Sequence, residues 1–159
     1  MERNNNLRSA INMLTLLPNA KIHRVMLDEN NPDKFMIGVS GTNRPFHLVE
    51  NWGDIARQKE EVRFFSDNLS AQYPALKDTL DVVTTDSRVP NYSELCTLVT
   101  ATLATNGVSF EDSMNRNIYS DTLSVGYSQD GWDHDTTISA QEFVQTYSVQ
   151  PEVAFESNN

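Results

Sequence analysis

The chain has 159 residues, 38% hydrophobic and 21% charged, with a formal net charge of −10 and a single cysteine. That length fits one domain able to bury roughly two thirds of its unfolded surface, without staples. The acidity argues against nucleic acid as partner, since phosphate binding draws on clustered Lys and Arg, and the longest early apolar run, Met13 to Leu17 broken by Thr15, is far too short for a bilayer span or a signal-peptide core.

In chain order, apolar residues at Leu7, Ala10, Ile11, Leu14 and Leu17 form one helical stripe, which Pro18 ends. Three strand-like runs follow, Lys21 to Leu27, Phe35 to Ser40 and Phe46 to Glu50, separated by turn-rich segments. They read as an antiparallel meander. Alternation puts Phe35, Ile37 and Val39 on one face and Phe46 with Leu48 on one face, ready for the first helix to cover. Residues 54–69 turn helical, with Ile55, Val62, Phe65 and Leu69 on one side, until Tyr73 and Pro74 break the pattern. A short helix is expected over Ala75 to Leu80, and the run Val82 to Thr85 fits a strand or a connection equally.

Ser93 has the chemistry of an N-cap for a helix carrying Leu95, Leu98, Val99 and Leu103, and Asn106 with Gly107 supplies a left-handed stop. Val108 to Glu111 and Asn117 to Ser128 read as a C-terminal hairpin, the second strand alternating Leu123, Val125 and Tyr127 against Thr122, Ser124 and Gly126. A last helix opens at Ser139, which forms a capping box with Glu142, flanked by Ile138 and Phe143 as a hydrophobic staple. The expected fold is α+β: a single domain over residues 1–150, an antiparallel sheet made of the meander and the hairpin, and helices packed on one face. Residues 151–159 read as a frayed acidic tail.

The charge is unevenly spread. Residues 101–159 carry nine carboxylates against one base, Arg116, while residues 1–100 nearly balance 13 acids with 11 bases. The densest stretch holds Asp130, Trp132, Asp133, His134 and Asp135 just before the last helix. There the acids suit a helix N-terminus beside an Asp-Gly turn, and Trp132 suits an interface anchor or a lid on the core. These five residues are the candidate partner-binding set. From Asp133 to Glu142 the chain resembles the second half of an EF-hand loop, but Gly131 stands where the first ligand belongs and Thr136 where the turn glycine belongs. No metal ligands and no cofactor are expected.

Nor does a catalytic constellation emerge. Cys96 falls in an apolar helix, where a lone cysteine is ordinarily packing, and the strands carrying His23 and His47 do not by alternation set the two imidazoles on one face. No catalytic residue is named. Over residues 7–69 the order helix, strand, strand, strand, helix resembles the double-stranded-RNA-binding domain, a family that reads A-form shape and phosphates through a lysine cluster opening its last helix. That resemblance implies an RNA-binding module. Here residues 52–59 hold only Arg57 and Lys59 against Asp54, so the likeness is one of element order and no family is assigned.

The sequence therefore points to a non-catalytic interaction protein, an inhibitor or accessory factor, that engages a basic protein surface through its acidic C-terminal third. A homo-oligomer formed through uncovered sheet edges is the second class, and an enzyme assembled from distant segments the third. With one cysteine and no disulfide framework, a reducing, cytoplasmic setting is expected.

Overall fold

The computed structural model describes residues 5–85, 92–108, 117–129 and 132–147. The described residues form an α+β fold of five α-helices and one mixed five-stranded sheet. The first helix, α1 (Asn5–Leu14), gives way at Thr15 to Leu17 to i→i−3 hydrogen bonds, a tightening that ends the helix before Pro18. All five residues of its expected stripe are buried, Leu17 from the turn that follows. The meander forms as expected from β1 (Lys21–Asp28), β2 (Phe35–Ser40) and β3 (Phe46–Glu50), paired antiparallel.

Next comes α2 (Ile55–Gln72), capped by Asp54, whose Oδ1 accepts from Ala56 N at 2.9 Å and Arg57 N at 3.4 Å. Its inner face is Glu61, Val62, Phe65, Ser66 and Leu69; Ile55, expected in the core, is 63% exposed at the first position of the helix. After a 3-10 turn at Pro74–Leu76, α3 runs from Lys77 to Thr85, so the ambiguous stretch Val82 to Thr85 is helix.

The fourth helix, α4, spans Tyr92–Thr105. Ser93, expected at the N-cap position, therefore lies within the helix. The amide of Tyr92, among the first of the helix, donates instead to Glu50 Oε2 at 3.0 Å, a partner brought by the fold from the end of β3. At the other end Gly107 takes φ +76°, and the amides of Gly107 and Val108 return to the carbonyls of Ala104 and Leu103, a Schellman stop.

The hairpin is displaced from its expected place. Val108 belongs to that helix stop, and residues 109–111 lie outside the described residues. The observed hairpin pairs β4 (Tyr119–Gln129) with β5 (Trp132–Ser139), followed directly by α5 (Ala140–Tyr147). The sheet order is β3-β2-β1-β4-β5, and β1 pairs with β4 in parallel, which corrects the expectation of a wholly antiparallel sheet. A parallel neighbour needs a long crossover. The run through β2, β3 and the three helices α2 to α4 provides it.

One face of this sheet meets the helices. Ile22, Val25, Phe35, Ile37, Val39, Phe46, Leu48, Leu123 and Val125 are all at most 1% exposed, matching the alternation in β2, β3 and β4. An aromatic chain joins the layers, with ring centroids 6.4 Å apart for Phe35 and Tyr92, 6.3 Å for Tyr92 and Phe65, and 6.0 Å for Phe65 and Phe46. Truncating any of these phenylalanines to alanine costs roughly 3–5 kcal/mol. A second aromatic group, Tyr119, Phe143, Tyr147 and Tyr127, seats α5 on β4. α1 lies beside α4 and α2 against β3, and the α1 stripe shares one buried core with the inner face of the sheet. Among the described residues no helix is long and apolar enough to cross a membrane, and the tail from residue 151 lies outside the described residues.

Candidate functional site

The acidic segment is a strand. Trp132 to Ser139 pairs with β4 in continuous register, Leu123 with Ile138, Val125 with Thr136, Gly126 with Asp135 and Ser128 with Asp133. The expectation of a loop feeding acids to a helix N-terminus is therefore corrected for Asp133, His134 and Asp135, which stand along an outer strand of the sheet. Asp130 lies outside the described residues. Of the capping box expected at the following helix, the Ser139 half is present, with Glu142 N donating to Ser139 Oγ at 3.1 Å, and Phe143 is fully buried.

Because paired residues share a face, Asp133, Asp135 and Thr137 project from the sheet face opposite the helices, while Trp132, His134, Thr136 and Ile138 project from the helix side. Trp132 is 73% exposed, so it is no lid on the core. Asp135 leans inward across β4 to Arg24 on β1, with Oδ1 3.3 Å from Nη2. Gly126 permits this reach: a Cβ there would sit 2.5 Å from Asp135 Oδ1. The Arg24 guanidinium also approaches Ser124 Oγ at 3.5 Å. Both charged partners are substantially exposed, so the bridge orients Asp135 more than it stabilises the fold. Asp133 has no ion pair among the described residues.

Sequence alternation could not unite His23 and His47, yet the structure does. A register shift between Ile22 and Arg24 turns His23 to the open face of the sheet, where its Cε1 would lie 3.0 Å from a Cβ on Gly38, the direct partner of His47. The missed signal is that bulge, which pattern reading with a strict period of two does not register. Beside His47 a cleft of about 340 Å³ is lined by Arg44, Pro45, Arg57, Glu60 and Glu61. Partial burial, then the nearby Arg57 charge, hold the His47 imidazole below its ordinary pKa.

The carboxylate of this cleft is committed to structure. Glu61, buried, accepts from Arg44 Nη2 at 2.8 Å through Oε1 and from the backbone N–H of His47 at 2.8 Å through Oε2. The Arg44 guanidinium in turn lies 4.0 Å from the Phe64 ring centroid. This clamp ties α2 to β3 and occupies an outward-facing amide of that outer strand. Cys96 is half-buried and packed against the core. Among the described residues no three His, Cys, Asp or Glu side chains converge as a metal site.

Comparison with protein-family models, curated proteins and solved structures finds no match. The site is thus defined by its own geometry: an exposed strand of alternating polar and charged residues with an indole at its start.

Proposed function

We propose that this protein is a non-catalytic interaction protein, an inhibitor or accessory factor, whose acidic C-terminal third engages a basic surface on another protein, with β5 at the centre of the contact. The observation that carries this reading is β5 itself. Every residue from Trp132 to Thr137 is exposed, the indole at 73%, and Asp133 serves no ion pair among the described residues. Exposed large aromatics beside unspent charge are the composition of binding anchors. Nine carboxylates against one base over residues 101–159 make this part of the sequence attractive to a cationic partner. A reducing cytoplasmic setting belongs to the same reading, supported by a sequence with one cysteine, Cys96, and so no intramolecular disulfide.

The test is retention of partners from the native source on immobilised protein at low and high ionic strength, followed by binding kinetics on what is retained. Replacing Asp130, Asp133 and Asp135 by asparagine is expected to slow association and flatten its salt dependence, since exposed charges act on encounter. Trp132→Ala is expected to speed dissociation instead, at a cost on the order of 2 kcal/mol, with an unchanged melt because the indole is exposed. Unchanged kinetics in both variants removes β5 from the interface.

A further inference from the structure

A sheet of this order has two outer strands, and they differ. On β3 the His47 amide is taken by Glu61, and Arg44 packs over Phe64 beside it. On β5, eight residues long, no second strand pairs with the outer side among the described residues. Natural sheets guard such an edge with lysine, proline, a bulge or brevity. From Trp132 to Ser139 there is no lysine or proline, and the pairing with β4 shows no register shift. The guard is chiefly Asp133, with Asp135 two residues along on the same face but leaning inward to Arg24.

That guard is selective. Against a second copy, antiparallel pairing of two β5 strands would set four carboxylates on one face of the joined sheet, in regions that each carry about −8, and like charges across strands repel. A strand bearing Lys or Arg at alternate positions meets the same two acids with opposite charge and fills the same unpaired backbone groups. Resting on the reading of the acidic third as a partner surface, we propose that the partner contributes an extended segment with alternating basic residues, which adds to β5 as a sixth strand. Asp133 and Asp135 set its register, and Trp132 covers the neighbouring side chain on the helix face.

The probe is a synthetic peptide as long as β5 that alternates lysine with threonine, titrated against the full chain by fluorescence anisotropy. Three companions accompany it: a peptide of equal composition with its lysines in one block, and two alternating peptides N-methylated on one or the other set of alternate amides. Strand addition uses only one set of amides, so one methylated peptide is expected to bind like the parent and the other roughly tenfold more weakly, as is the block peptide. Amide exchange within residues 132–139 is expected to slow on binding, D133N to weaken it about threefold, and D135N, whose carboxylate already pairs with Arg24, to weaken it less.

Equal binding by the alternating, block and both methylated peptides overturns strand addition while leaving the acidic surface as a charge contact. Absence of binding by any lysine peptide overturns it as well, and retention of native partners then judges the broader reading separately. A dimer in sedimentation with slowed exchange across residues 132–139 before any peptide is added overturns it in favour of a second copy.

Discussion

Replacing Glu50 with glutamine tests how a buried carboxylate shapes stability in this fold. Glu50 closes β3 with 6% of its surface exposed and accepts the Tyr92 amide at 3.0 Å, so it anchors the start of α4 to the sheet. Burial pushes its carboxyl up from 4.5 to about 7; the bond from Tyr92 opposes that rise, and the nearby Asp33 and Glu94 add to it. A raised carboxyl means that the native state holds a proton the unfolded state has already released. Its contribution is therefore fully present below about 4.5, is lost as the pH rises toward 7, and stays lost above.

The loss across that interval is about 3 kcal/mol. Glutamine keeps an oxygen for the Tyr92 N–H and carries no charge to desolvate, so E50Q is expected to be about 3 kcal/mol more stable than the native chain at about pH 8 and within about 0.5 kcal/mol of it at about pH 4.5. With a urea slope of about 2 kcal/mol/M the alkaline difference moves the midpoint by about 1.5 M. Urea unfolding of both proteins at the two pH values measures it, and the difference between them isolates Glu50 from the other titrating groups. If E50Q is the less stable protein at pH 8, the charge is favourable at the helix N-terminus and the desolvation argument is refuted.

Substitutions at three further positions probe local structure. Gly41 adopts φ +85° and a Cβ there would sit 2.0 Å from the Asn19 carbonyl oxygen, so Gly41→Ala is expected to cost at least about 2 kcal/mol; Gly107→Ala, at φ +76° with open space around it, is expected to cost only about 1 kcal/mol, and equal losses in thermal melts would contradict the role given to the clash. Ser139→Ala removes the acceptor for Glu142 N and is expected to destabilise by about 1 kcal/mol, with Ser139→Asp restoring most of it; an alanine variant as stable as the native chain would mean that α5 is held by Phe143 and Tyr147 alone.

The sequence alone determined the elements whose own burial pattern defines them. Phe35, Ile37 and Val39 in β2, the stripe of α1 and the stop at Gly107 were legible because each is a local consequence of side-chain period or backbone conformation. The acidity of the last third is likewise a property of the chain itself. Tertiary structure decided the rest. β5 carries no buried alternation, so Trp132, Asp133, His134 and Asp135 become a strand through the backbone of β4. The Tyr92 amide finds its partner in Glu50, 42 residues away, and His23 joins His47 on one face through a bulge, relations that no local pattern encodes. The parallel pairing of β1 with β4 belongs to the same class, because which edge a polar-faced strand completes depends on which edge the rest of the fold leaves open.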